Sequence, residues 1–335
     1  MRSSASARAV DTRSTSLVAN RYHLIAEVAR GGVGAVYEAQ DLVEDRLVAI
    51  KILQSGGFDR AAGARFAREA RVASAIHHPN VCTVTDSGML DDGSPFLVME
   101  RLHGETLRSY VARAGRLDAE EAIELSVQML SGLEAAHALG IVHRDMKPEN
   151  VFLVRPPGSL PLVKILDFGM CRRQASEEPQ VMDDRTLTRV GTVVGTPEYM
   201  APEQASGRRS FDQRIDLYAV GVMLYETLTG TRAFYGPDPR AVLVSVLARQ
   251  LPSVRAIRPD LPVAVDRIVA RAVERDPRAR YFDAAEFQHD LLHARTTLRR
   301  QRAARAQASA RMKTQNGAND WDMPTLQLSR YRRPA

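Results

Sequence analysis

The spacing of apolar residues changes once along this chain, and that change limits the folds open to it. Between residues 22 and 100 the apolar positions fall in short runs, YHLIAEVA, GAVYEAQ, RLVAIKIL, VCTVTDSG and PFLVME, which read as β-strands. One helical stretch, RFAREARVASAI, lies among them. From Leu117 onward the spacing is that of helices. Asp118 and Glu121 stand at capping-box distance, and Ile123, Val127, Leu130 and Leu133 follow in steps of three and four, as one buried helix face requires. The expected class is α+β: a small antiparallel sheet with one helix, then a larger, mainly helical lobe. No internal repeat with a period of about 20 to 50 residues accompanies it.

The 335 residues suffice for one large or two modest domains. Residues 1–20 read as a polar arm, 21–294 as the folded unit (small lobe about 21–101, large lobe about 102–294), and 295–335 as a basic tail with helical character around LRRQRAARAQASARM. The net charge is +6, but residues 295–335 hold ten Arg or Lys against Asp320 and Asp322, which leaves residues 1–294 at −2. A folded body without excess positive charge argues against nucleic-acid binding. The tail is read as a solvated linker. Cys82 and Cys171 have no metal-ligand or redox spacing, and neither an export-signal core nor an apolar window of about 18 residues occurs. A reduced cytoplasmic setting without a membrane span is expected.

Four stretches place polar chemistry beside apolar runs. ARGGVGAVY, Ala29 to Tyr37, lies between two expected strands. Its glycines let backbone amides approach phosphate oxygens, although a Gly-rich hairpin turn accounts for them equally well. VAIK ends at Lys51, and a period of two turns Ala49 and Lys51 to one face. Glu69 is available as a countercharge, the alternative being a strand-end lysine that reaches water. HRDMKPEN, His143 to Asn150, concentrates two carboxylates, an amide and three cationic or ionisable groups, more than a solvated loop needs. ILDFGM sets Asp167 at the end of an apolar run before Phe168 and Gly169. There a carboxylate can hold a hard cation, with Asn150 as a second oxygen ligand, or simply form a turn.

In this order, and followed by APE at Ala201 to Glu203, these stretches resemble the eukaryotic-type (Hanks-type) serine/threonine protein kinases of the bacterial group over about residues 22–293. The resemblance implies a two-lobed fold and γ-phosphate transfer from ATP, with Mg²⁺ or alternatively Mn²⁺, to Ser or Thr hydroxyls of proteins. Lys51 would hold the α- and β-phosphates and pair with Glu69. Asn150 and Asp167 would bind the metal, Asp145 would orient the acceptor hydroxyl and take its proton, and Lys147 would steady the transferred group. The nucleotide is expected against Val28, Gly31, Gly32, Gly34, Val36 and Ala49 above and Phe152 below. Met99 would back the adenine, and Glu100 and Leu102 would offer backbone groups at the connector between lobes. Lys147 and GTPEYMAPEQ point to the serine/threonine branch, with Thr196 near the acceptor.

The resemblance also implies scaffold and regulation. Asp216 would anchor the catalytic loop, and Arg280 would pair with Glu203. Arg144 would receive a phosphorylated residue of the activation segment, Asp167 to Glu203. Thr186, Thr188 and Thr192 are the candidate sites, modified by autophosphorylation through a transient dimer. Ala29 stands where the family has the first glycine of its phosphate loop. Gly31, Gly32 and Gly34 remain, so ATP binding is expected to survive with a modest penalty. All of Lys51, Asp145 and Asp167 are present, which separates the chain from a pseudokinase scaffold. GTPEYMAPEQ, as a peptide platform, separates it from small-molecule phosphotransferases of related fold. Substrate, activating signal and resting oligomeric state have no signature here.

Overall fold

The computed structural model describes residues 17–31, 34–53, 66, 70, 72–155, 160–168, 197–208 and 211–318, with backbone only for 305 and 309–318. Six strands form one antiparallel sheet in the order β1-β2-β3-β4-β6-β5. They are β1 (Leu17–Val18), β2 (Tyr22–Arg30), β3 (Gly34–Asp41), β4 (Arg46–Leu53), β5 (Val84–Met89) and β6 (Pro95–Glu100). A second sheet of three strands, β7 (Gly104–Thr106), β8 (Val151–Val154) and β9 (Leu162–Ile165), lies in the helical lobe. The helices are α1 (Leu107–Ala114), α2 (Ala119–Ala138), α3 (Pro202–Ala205), α4 (Arg214–Thr229), α5 (Pro239–Ala248), α6 (Val254–Ile257), α7 (Val263–Ala272) and α8 (Ala284–Ala318).

Alternation decides the small lobe. In β3 the buried positions are Ala35, Tyr37, Ala39 and Asp41, one face of a pleated strand. Val18, Tyr22, Ala39, Val48, Ile50, Phe96 and Val98 close a small core. Asp41 ends that row as a buried carboxylate, and Arg21 meets it with both Nε (2.8 Å) and Nη2 (2.7 Å). This hydrogen-bonded partner draws the Asp41 carboxyl down to about 2. A depressed carboxyl stabilises the fold above the unfolded value near 3.8, and the contribution disappears as pH falls from about 4 towards 2. Asp41→Asn is therefore expected to leave an acid-unfolding curve with less pH dependence between pH 4 and 2, which a circular-dichroism titration of both proteins would measure.

The larger core is built on α4, whose residues from Ile215 to Thr229 are all buried. A helix buried around its whole circumference must be surrounded, and α2, α7, α6 and the Pro197–Tyr199 turn lie about it. Gly221 allows the approach of α7, since a Cβ there would stand 2.6 Å from that of Ala272.

Two expectations shift. The run VCTVTDSG becomes strand only from Val84, because Val81 makes a parallel bridge to Ile165 and Cys82 N–H donates to the Ile165 carbonyl at 2.9 Å. The segment is thus captured by the other lobe. The folded unit also passes the expected limits of 21–294 at both ends. Val18 belongs to the small core, and α8 continues through 318 with Leu298 buried. Arg295 pairs with Glu124, Arg299 with Glu120 (3.0 Å) and Arg302 with Asp118, which fastens α8 along α2.

Candidate active site

The site lies where the catalytic loop, residues 143–150, meets the end of β9. A short 3₁₀ turn, Pro148–Asn150, delivers the chain into β8. Asn150 O accepts from Leu166 N–H at 2.8 Å, and the Leu166 carbonyl accepts from His143 Nε2 at 2.8 Å. His143 Nδ1 faces the Asp145 N–H at 3.3 Å, so donor and acceptor chemistry assign a neutral ring with its proton on Nε2. Phe168 stands edge-on to the same ring at 4.7 Å between centroids. These contacts join HRDMKPEN to DFG.

Within that frame the Lys147 ammonium donates to Asp145 Oδ2 at 2.6 Å. Asn150 Nδ2 donates to the Asp145 carbonyl at 2.8 Å and to Oδ2 at 3.3 Å. With the amide nitrogen committed to Asp145, the Asn150 oxygen is the atom left to face a cation. Asp167, at φ 61°, holds the strained left-handed backbone that functional sites concentrate. Its Oδ1 accepts from Lys51 Nζ at 2.7 Å. Asn150 and Asp167 are hard oxygen donors suited to Mg²⁺, which binds few protein groups and takes its remaining ligands from phosphate and water. No three His, Cys, Asp or Glu side chains converge among the described residues.

Above the site, Ala49 and Met99 face each other across β4 and β6. Val36 pairs with Lys51 across β3 and β4, and Phe152 lies on β8 opposite Thr106. Val28 on β2 is exposed. Gly31 and Gly34 close the β2–β3 turn through a 2.8 Å hydrogen bond. The missing side chain of Gly34 has a second cause unread in the sequence: a Cβ would lie 2.2 Å from the Ile52 carbonyl on β4. At the connector, Glu100 turns its carboxylate to Thr83 N–H (2.8 Å) and Lys164 Nζ (2.8 Å), while the Leu102 carbonyl accepts from Arg101. Glu69, Gly32, Thr186, Thr188, Thr192 and Thr196 lie outside the described residues, so the expected Lys51–Glu69 pair does too.

Asp216, fully buried, accepts from the backbone N–H of His143 (Oδ2) and of Arg144 (Oδ1), each at 2.8 Å. Burial alone would raise this carboxyl. The hydrogen bonds it accepts from His137 at 2.9 Å and from the His143 backbone outweigh it and hold the carboxyl below its ordinary range. The role of His137 was not foreseen, because its only sequence signal is a histidine in the last turn of α2. Glu203 and Arg280 form the expected buried pair through two 2.8 Å hydrogen bonds. The Arg144 guanidinium lies over the Phe211 ring at 5.3 Å.

The Protein kinase domain family matches residues 22–302. The chain belongs to that family. As a kinase domain it is 38% identical over 278 residues to the serine/threonine-protein kinase pkn3 of Myxococcus xanthus, covering 82% of this chain and 50% of pkn3. It is 35% identical over 278 residues to PrkC of Bacillus subtilis, covering 82% of this chain and 40% of PrkC. The chain thus spans half or less of the length of these curated relatives. Its fold is similar to the kinase domain of PknI from Mycobacterium tuberculosis, with a TM-score of 0.64 and 25% identity over 83% of this chain and 98% of that one. The two-lobed α+β expectation agrees with that likeness. No helix among the described residues is long and apolar enough to cross a membrane.

Proposed function

We propose that this kinase domain transfers the γ-phosphate of ATP to serine and threonine hydroxyls of proteins in bacterial signalling. The observation that carries the reading is the tied group of Asp145, Lys147 and Asn150, with Asp167 and Lys51 fastened to the same loop end. Mg²⁺ and ATP, when bound, supply the transferable phosphoryl group and neutralise its charge. Lys51 and Lys147 supply fixed positive charge where negative charge accumulates. Asn150 and Asp167 hold the metal, and Asp145 orients the acceptor hydroxyl and receives its proton. Positioning does most of the work, since the transition state of phosphoryl transfer is loose.

The acceptor is a protein, met at the segment that includes Thr196. Autophosphorylation at Thr186, Thr188 or Thr192 would bring the activation segment to Arg144, two copies meeting transiently. The buried thiol of Cys82, its pKa pushed up to about 12 by burial, suits a reduced cytoplasmic setting. The test is transfer of γ-labelled phosphate, with Mg²⁺ or with a chelator, to the protein itself, to a generic basic protein and to small alcohols. Chelator-sensitive label on Ser or Thr is the expected result. Label on the alcohols alone would replace this reading with a small-molecule phosphotransferase.

A further inference from the structure

Arg144, the residue before Asp145, has φ 68°. This left-handed conformation is costly for a residue with a Cβ and persists only where the surroundings impose it. On one side Asp216 Oδ1 holds the Arg144 N–H at 2.8 Å. On the other, Gln204 Nε2 donates to the Arg144 carbonyl at 3.1 Å. The same amide accepts from Ala201 N–H through Oε1 at 3.0 Å. Its orientation follows from chemistry, because an N–H needs the oxygen and a carbonyl needs the nitrogen. Gln204 thereby spans from the N-cap of α3 to the catalytic loop, 60 residues away.

A small cavity of about 20 Å³, lined by Asp145, Met146, Met200, Gln204, Ile215 and Asp216 among others, lies beside the loop. The hydrogen bonds to the Arg144 N–H and carbonyl are the directional restraints on the loop there.

We propose that Gln204 is a positioning residue for phosphoryl transfer, clamping the Arg144 carbonyl so that Asp145 keeps the alignment its acceptor needs. The inference rests on the role given to Asp145 above. It also couples the acceptor platform, GTPEYMAPEQ, of which Gln204 is the last residue, to the loop that carries the base. A glutamine at this third helical position would also serve as half of a capping box and nothing more. The two roles use different atoms of one amide.

Two variants of the full chain separate them. Gln204→Glu keeps the oxygen that caps Ala201 N–H, but a carboxylate cannot donate to Arg144. Gln204→Met is of similar length and loses both bonds. For each, kcat, KM for ATP, the melting temperature and hydrogen–deuterium exchange across residues 142–150 would be measured. Both variants are expected to lower kcat about 10- to 100-fold, the range that small misplacements of reacting groups produce. KM for ATP should stay within about twofold, and loop exchange should accelerate about tenfold. Gln204→Glu should melt with the wild type. A Gln204→Glu enzyme with wild-type kcat would reduce Gln204 to a helix cap and overturn the proposal, as would a loss of kcat with unaltered loop exchange. Should the wild type transfer no phosphate, the kinase reading fails, and the exchange comparison alone decides the clamp, unaltered exchange overturning it.

Discussion

Asp145→Asn is expected to bind ATP as the wild type does and to lose about 10²- to 10⁴-fold in kcat, the range for removing a positioned general base. Asparagine fills the same volume and can present its amide oxygen to Lys147, which now donates to Asp145 Oδ2 at 2.6 Å. The backbone carbonyl that receives Asn150 Nδ2 at 2.8 Å is unaffected by the replacement. Structure and nucleotide contacts are thus retained while proton acceptance is lost. The comparison requires kcat from initial rates of phosphate transfer and Kd from direct nucleotide titration. A mutant with near-normal kcat would remove Asp145 from the chemistry and leave the surrounding contacts as scaffold only. A mutant with weakened ATP binding would show that the substitution had disturbed the metal side of the site, through Asn150.

Arg280→Ala is expected to destabilise the fold by about 3 to 5 kcal/mol, the loss typical of breaking one side of a buried ion pair. Arg280 and Glu203 are almost completely buried, with side-chain exposures of 0% and 5%. Their bidentate contact accounts for two of the donors of Arg280. The rest go to the carbonyls of Glu274 (2.6 Å), Arg275 (3.2 Å) and Arg214 (3.4 Å), while the guanidinium lies 4.7 Å from the centroid of the Tyr218 ring. Five hydrogen bonds match the five donors of an arginine, so the group is fully satisfied and its removal strands a buried carboxylate. Thermal melting should fall by an amount on the order of 10 °C. The double variant Arg280→Met with Glu203→Leu should recover much of that loss, because a buried pair replaced by apolar groups of similar size is often close to neutral. If Arg280→Ala melted within about 2 °C of the wild type, the pair would be an ornament of the loop after α7 instead of a clamp on α3.

Local pattern carried much of this architecture. β2, β3, β4 and β6 lie where the short apolar runs place them, and α2 is capped by Asp118, whose side chain accepts from Glu120 N–H at 2.9 Å. Boundaries were less legible where another element intervened. Val81 to Thr83 look like the start of β5 but are drawn to β9 and to Glu100. The arginines of α8 read as a solvated tail because a run of like charges carries no sign of its partners, and Asp118, Glu120 and Glu124 lie more than 170 residues earlier in the chain.

The site divides in the same way. Residue type and order alone determined the family resemblance and nominated Lys51, Asp145, Lys147, Asn150 and Asp167, since phosphate, metal and hydroxyl each demand a particular functional group. The tertiary structure decided which atoms meet. Lys51 reaches Asp167 across 116 positions, His137 reaches Asp216 across 79, and Gln204 reaches Arg144 across 60. Periodicity reports only which face of an element is apolar. The partner of a polar group depends on how distant elements pack, because a hydrogen bond forms only within a few tenths of an ångström and a narrow cone of angles.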